Sequence, residues 1–355
     1  HSLDRRQRQM CIRDRRMIKL LLPLVITISM IQGSENKKLA QTGFQFLSVM
    51  SDARSGGMAD AMTTIHGKSV SLFFNPAGMS RQTQLFDMNF SANSWIAGIK
   101  HDAFSLSVSP NNGQFGVFGL SLLNVDYGEL QGTMVWDNDQ GFLDTEKFYP
   151  SALAIGLGYG RALSKSFSVG GQVKKAYQYL GHNVVPVTDS SKVVENNISD
   201  ALAFDFGTIY MTDWHGFTFG MSVRNFSDET QYAYDGFQLP LTFRIGGSID
   251  LLSFIPTISE KQSLLFAIDA LHPRSYPERV NLGFEYSFMS IGYMRLGYLY
   301  NYDERGLTYG AGFKIGPLSI DYALTPFGVF DIVNRISIGI SLSLIHISEP
   351  TRPID

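Results

Sequence analysis

From Leu85 to Leu344, apolar and polar residues alternate with a period of two, in short runs broken by turn residues. That period belongs to a β-strand with two unlike faces; an amphipathic helix would repeat near 3.6. Phe217, Phe219, Met221 and Val223 share one face of their run, and Thr218, Gly220, Ser222 and Arg224 the other. Leu239, Leu241, Phe243, Ile245 and Ile249 stand opposite Thr242, Arg244, Gly246, Ser248 and Asp250. Ile336, Ile338, Ile340, Leu342 and Leu344 stand opposite Arg335, Ser337, Gly339, Ser341 and Ser343. The runs number about 14, from Leu85–Ile96 through Phe167–Gly181 and Ser199–Thr212 to Asn334–Leu344.

A β-sandwich core also alternates, so the connections decide between sandwich and barrel. Every second connection is short: Asn111-Asn112-Gly113, Leu163–Ser166, Asp213–Gly216, Met289-Ser290 and Gly316-Pro317, with Ser253–Gln262 the longer exception. The others include the long polar segments Tyr127–Phe148, His182–Ile198, Ser227–Gln238 and Thr325–Val333. Short turns on one rim and long loops on the other form the outer-membrane pattern, with an even strand number. The expectation is an all-β fold: a transmembrane antiparallel β-barrel in outer-membrane lipid, its long loops outside. A one-residue slip would turn Arg244 or Arg335 into lipid, at about 2–4 kcal/mol at mid-membrane, and this fixes the register. Tyr149, Tyr177, Tyr179, Trp214, Phe226, Tyr298, Tyr300 and Tyr302 fall near strand ends, where interface girdles belong.

The ends read differently. Residues 1–16 hold six Arg and the chain's one cysteine, Cys11, and precede Met17. Residues 345–355 interrupt a clean strand with Glu349-Pro350-Thr351-Arg352-Pro353. Both stretches read as non-native. Residues 17–34, a short n-region and the apolar run Leu20–Met30, read as a secretory signal. With Cys11 set aside, no disulfide or cysteine metal site remains. Net charge is −3 even with the arginine-rich leader counted, so no basic surface points to nucleic acid. No His-Glu-x-x-His and no Gly-x-Ser-x-Gly occurs, so neither a zinc hydrolase nor a serine hydrolase is indicated; no enzyme activity, metal or cofactor is expected. Gly156-Leu157-Gly158-Tyr159-Gly160 leads into a turn and another strand rather than a helix, so it reads as barrel-strand glycine and not as a dinucleotide loop.

Residues 35–84 lack the strand period and read as a hatch inside the barrel of residues 85–344. Its centre is Asn75-Pro76-Ala77-Gly78: Pro76 pushes Asn75 out of the helical region, and Gly78 permits a reversal. These four residues are the candidate gate. Arg224, Arg244, Arg295 and Arg335 lie on polar faces, which places them on the lumen, with Asp205, Asp250, Asp269 and Asp321 as candidate partners.

Three segments, Gly43-Phe44-Gln45-Phe46-Leu47, Ala53-Arg54-Ser55-Gly56-Gly57-Met58-Ala59-Asp60-Ala61 and Leu72-Phe73-Phe74-Asn75-Pro76-Ala77-Gly78-Met79, resemble the N-terminal signature of the PorV/PorQ family. Asp205–Tyr210 and Val223–Ser227 also resemble recurring segments of that family, which belongs to the wider FadL-type barrels. The resemblance implies 14 strands, an N-terminal hatch and a role accessory to type IX protein secretion. Secretion-system proteins or exported cargo would then be partners, docking on Tyr127–Phe148 and His182–Ile198, with Trp136, Asp137 and Asn138 as the anchor. The alternative is a FadL-like channel for hydrophobic molecules such as long-chain fatty acids, with Gly98, Gly113 and Gly116 as places where the wall could open. A plain porin fits less well, because a hatch would block conduction.

Overall fold

The computed structural model describes residues 42–49, 52–188, 191–232, 236–255 and 261–343. The expected leader, signal and tail lie outside these residues. Eighteen strands are described: β1 (Phe86–Ser94), β2 (Lys100–Val108), β3 (Val117–Asp126), β4 (Leu130–Val135), β5 (Phe142–Phe148), β6 (Ser151–Ala162), β7 (Phe167–Thr188), β8 (Ser191–Met211), β9 (Thr218–Ser227), β10 (Thr230–Gln231), β11 (Gly236–Phe237), β12 (Thr242–Asp250), β13 (Gln262–Pro273), β14 (Arg279–Phe288), β15 (Gly292–Tyr300), β16 (Leu307–Ile315), β17 (Leu318–Pro326) and β18 (Ile332–Leu342). Fourteen of them, all but the hairpins β4–β5 and β10–β11, form one closed antiparallel barrel. Closure is made by β1 on β18, in register from Phe86↔Leu342 to Ser94↔Asn334.

The period-two pattern sets which face meets lipid. Ile336, Ile338 and Ile340 point outward, while Arg335, Ser337 and Gly339 point into the bore. On β9, Phe219 is exposed and Thr218, Gly220, Ser222 and Arg224 are buried. The short connections share one rim and the long ones the other. The longest on the short-turn rim, between β12 and β13, carries a 3₁₀ turn at Leu251–Phe254.

Three segments expected as loops contain strand, Ser227–Gln238 through the short β10–β11 pair. Most of His182–Ile198 continues β7 and β8 beyond the barrel, paired from His182↔Asn196 to Thr188↔Ser191. Tyr127–Phe148 folds into the β4–β5 hairpin. Gly98, Gly113 and Gly116 sit in turns at φ 75°, 80° and 83°. The β1–β2, β2–β3 and β3–β6 ladders beside them run without interruption, so these glycines make no gap in the wall. The register shift in the barrel itself lies between β8 and β9, at Phe204/Phe206, where the Asp205 side chain accepts from the Asn225 N–H at 2.7 Å and replaces a ladder bond.

Residues 42–49 and 52–85 lie inside the cylinder, between the long-connection rim and the short-turn rim. Thr42 bridges Gln238 at one end, and Arg81 donates to Ser168 Oγ and Ser164 O at the other. The segment is short helical turns: α1 (Ala53–Gly57) and 3₁₀ turns at Gln45–Ser48, Ser69–Phe73 and Pro76–Arg81. Asp52 caps α1 by accepting from Ser55 N at 3.0 Å, and Asn75 caps the last turn by accepting from Ala77 N at 3.1 Å.

Candidate functional site in the bore

Asn75 is fully buried and its amide donates to Thr63 O at 2.7 Å and to Thr208 O on β8 at 3.1 Å. It ties two parts of the inner segment to the wall. Pro76 holds it extended, at φ −150° and ψ 104°. Pro76 and Ala77 lie on a track of inward glycines. A Cβ on Gly170 would meet the Pro76–Ala77 backbone, one on Gly160 would meet Pro76 O, and one on Gly207 would meet Asn75 Oδ1. Gly78 works by close approach rather than by a reversal: its φ is not positive, and a Cβ there would press on Ser71 and Ile65 O. Asn75-Pro76-Ala77-Gly78 therefore forms an anchored contact near the short-turn rim.

On the opposite side the inner segment is held by charge. Arg54 donates to both Glu285 oxygens, at 2.9 and 2.7 Å. Arg295 donates to the same Glu285 at 2.6 Å and to Asp321 at 2.7 Å. Arg244 reaches Asp60 at 2.6 Å. Asp269 Oδ2 accepts from Met62 N, Thr63 N and Thr63 Oγ1 at 3.0, 3.0 and 2.7 Å. Arg244 and Asp269 thus find partners on the inner segment rather than on each other.

Above this layer, toward the long-connection rim, lies a cavity of about 370 Å³. Gln45 and Leu47–Val49 of the inner segment line it, and Leu241, Leu271, Pro240 and Pro273 give it apolar wall. Arg224, Arg244, Arg274, Arg279 and Arg305 also line it, against Asp60, Asp303 and Glu304. Of the five arginines, only Arg244 has a carboxylate partner among the described residues. The Arg279 guanidinium is sandwiched 4.1 Å from the ring centres of both Tyr276 and Tyr302. Arg305 stands 4.7 Å from Tyr302 and 5.0 Å from Phe327. Arg335, just below, lies 5.4 Å from Trp95 and donates to Thr325 Oγ1 at 2.9 Å. These stacks hold the guanidinium planes flat while leaving N–H donors free, and the Nε of Arg224, Arg279 and Arg335 has no partner among the described residues. A fixed, unpaired guanidinium recognises carboxylate or phosphate oxygens.

The far wall is apolar. Ala103, Leu123, Val125, Ala152, Ala154, Ala176, Ala201 and Ala203 face Phe44, Phe46, Leu47, Phe73 and Phe74 of the inner segment. A second cavity of about 20 Å³ lies there, between Leu72, Phe73, Leu123 and Ala154, and shares Leu47, Val49 and Arg224 with the large one. The outer mouth is covered by Tyr232 and Phe237, stacked at 5.0 Å and packed on Phe44 at 6.4 and 6.0 Å.

The remaining residues singled out from sequence scatter. Asp205 is buried but pairs with Lys174 at 2.7 Å. Asp250 does not reach an arginine of the bore; it ends β12 and accepts from Leu252 N and Leu264 N, each at 3.0 Å, because a strand terminus leaves those N–H groups unmet. Trp136, Asp137 and Asn138 form the tip of the β4–β5 hairpin, where Asn138 Nδ2 donates to Phe142 O at 3.0 Å. Tyr302, expected in a lipid girdle, instead faces the cavity between Arg279 and Arg305. Arg54, Asp60, Arg279, Glu285 and Arg305 escaped the sequence reading. For Glu285 the available signal was its polar-face position on an alternating strand.

The structure resembles the Pseudomonas putida toluene transporter TodX, with TM-score 0.54 and 12% identity over 86% of this chain and 98% of that chain. A TodX deltaS2S3 mutant monoaromatic hydrocarbon channel gives 0.51 and 11%, over 82% and 97%. A Pseudomonas aeruginosa FadL homologue gives 0.48 and 12%, over 82% and 98%. No family model and no curated protein matches the sequence. At such identities the likeness shows the fold alone: a closed, 14-stranded antiparallel β-barrel of the kind seen in TodX. The neighbours are transport and channel barrels rather than enzymes.

Proposed function

We propose that the barrel admits an amphipathic, hydrophobic anion, of which a long-chain fatty acid is the type, and passes it across the outer membrane. The observation that carries this reading is the cavity of about 370 Å³ with unpaired, ring-stacked arginines on one side and apolar wall continuing past Leu47 toward Phe73 on the other. A head group would take Arg279 or Arg224 in place of water, and the chain would lie along the alanine-lined wall, where apolar burial favours it by about 25 cal/mol per Å². Gln45 and Leu47–Val49 would have to yield for passage, so residues 35–84 serve as the hatch, with Asn75–Gly78 as its fixed end.

Saturable uptake of a labelled long-chain fatty acid should appear in cells producing the protein. It should exceed uptake of the matching fatty alcohol, and it should fall in Arg279→Gln. Equal uptake of acid and alcohol, or none of either, removes the reading. Docking of exported proteins, which the PorV/PorQ resemblance implies, is the second reading. It draws on two elements that stand on the long-connection rim, the β4–β5 hairpin and the extension of β7 and β8. Affinity isolation from native membranes that recovers no secretion component and no cargo would dispose of it.

A further inference from the structure

The extension of β7 and β8 beyond the barrel has two edges, and they are treated differently. β6 pairs with β7 only as far as Tyr179, and β9 pairs with β8 only from Ala203 onward. The ribbon above is therefore two strands wide. On the β7 side the edge is guarded. Gly181, at φ 97°, lies in a register shift, and Pro186 has no N–H to offer. The β4–β5 hairpin packs alongside, with Phe148 5.7 Å from the His182 ring. Bulges, proline and covering elements are the usual means of blunting a strand edge. On the β8 side, none of these is present from Ser191 to Ile198 among the described residues. Among the described residues, the β10–β11 segment meets the ribbon at its base, where Ser199 Oγ donates to Gln231 O at 3.0 Å. Val194 and Ile198 are 58% and 42% exposed along the open stretch.

We infer that the free edge of β8, Ser191–Ile198, takes up an extended, basic peptide segment of a partner protein as an added antiparallel or parallel strand. Backbone N–H and C=O groups would supply the affinity, as in other cases of strand addition. Charge sets the partner's sign. Asp228 and Glu229 are exposed beside the base of the edge, and residues 191–202 and 227–232 carry Glu195, Asp200, Asp228 and Glu229 against a single cation, Lys192. This inference is independent of what the bore conducts.

The test uses the full chain in detergent or nanodiscs and a short synthetic peptide of alternating Lys and Val with blocked ends, carrying a photo-crosslinker. Binding is expected by fluorescence anisotropy, with cross-links in residues 191–202. N-methylating alternate residues of the peptide, which removes the N–H donors of one edge and leaves its side chains, should weaken binding by about tenfold or more. The Glu–Val counterpart should bind more weakly than Lys–Val. Asp228→Asn with Glu229→Gln should weaken Lys–Val binding severalfold and leave fatty-acid uptake unchanged. Equal binding of the N-methylated peptide, cross-links inside the bore, or no binding of the Lys–Val peptide would each overturn the inference, and none of these bears on the uptake experiment.

Discussion

The two sides of the bore are built from different materials. β2, β3, β6, β7 and β8 present many small apolar side chains, Ala103, Ala152, Ala154, Ala176, Ala201 and Ala203 among them, with neutral polar groups such as Ser121, Gln172 and Gln178 and the ion pair Lys174–Asp205 between them. β9, β12 to β15, β17 and β18 present Arg224, Arg244, Asp269, Glu285, Arg295, Asp321 and Arg335, all buried or nearly so. The inner segment meets the first side by shape and by hydrogen bonds to neutral groups, such as Asn75 to Thr208 O, and the second by charge. Parting from an apolar wall forfeits only contact area. Parting from a buried ion pair leaves an uncompensated charge. Hence the inner segment is expected to stay attached along the charged side and at its Asn75 anchor, and to give way along the alanine-lined wall against Phe44, Phe46 and Phe73. The small cavity between Phe73, Leu123 and Ala154 already lies on that yielding side.

The largest effect should come from breaking the charged side. Arg295 serves both Glu285 and Asp321. Arg295→Ala leaves both carboxylates short of a partner and is expected to destabilise the barrel by about 3–5 kcal/mol. The urea midpoint of unfolding from lipid vesicles reads this directly. Replacing Arg54, Glu285, Arg295 and Asp321 together by apolar residues of similar volume should cost less than the single change. If the single change is the milder one, the charged side is not what holds the segment.

Next comes the apolar side. Gly170→Ala sets a methyl against the Pro76–Ala77 backbone. Overpacking of this kind costs about 1–3 kcal/mol. The wall can keep its ladder while the inner segment shifts, so the expected signature is raised single-channel conductance in planar bilayers with little change in the barrel's urea midpoint. A lowered midpoint with unchanged conductance would show that the two sides hold the segment alike.

The contrast between the two sides was only partly legible in the sequence. Alternation gave the strand faces, because a period of two needs no knowledge of partners. It put Arg224, Arg244, Arg295 and Arg335 on the inner face for the same reason. It could not give their partners: Arg244 meets Asp60 across 184 positions of sequence and Arg54 meets Glu285 across 231, and such pairings follow from the path of an aperiodic segment. Tyr302 was misplaced because a strand-end tyrosine has the same sequence signature whether it faces lipid or the bore. The extension of β7 and β8 was hidden by polar residues, although Val184, Val185, Val187, Val193 and Val194 flank a turn-like Asp189-Ser190 and could have marked a hairpin.

A smaller effect tests the meeting point of the two sides at the cavity. Arg279→Lys keeps the charge but loses the planar stack between Tyr276 and Tyr302. Lost stacking of about 0.5–1 kcal/mol corresponds to a severalfold rise in the half-saturating concentration for fatty-acid uptake. Enlarging Ala154 to Val on the apolar side should instead act on the longest chains first. Identical chain-length profiles for the two variants would mean that head and tail are not read on separate sides.

The smallest effect concerns the aromatic cover over both sides. Tyr232 donates to Gln178 Oε1 at 2.7 Å, and Gln178 Nε2 donates to Tyr127 Oη at 3.0 Å. Burial, and then the neighbouring Tyr127, push the Tyr232 phenol upward. The folded state therefore keeps its proton where the unfolded chain, near the ordinary tyrosine value of about 10, has begun to lose it. Stability from this group is fully present below that value and is lost as pH rises through the raised one. Hydrogen exchange at Thr230–Tyr232 and Gly236–Phe237 should thus be flat from neutral pH upward, once the intrinsic rate is divided out, and should quicken only in strong alkali. In Tyr232→Phe the donated bond is gone at every pH, at a cost of about 1 kcal/mol. Its protection should be lower throughout and should lack most of the alkaline step. A variant with the full step would place the titrating group elsewhere and leave the cover held by ring packing on Phe44 alone.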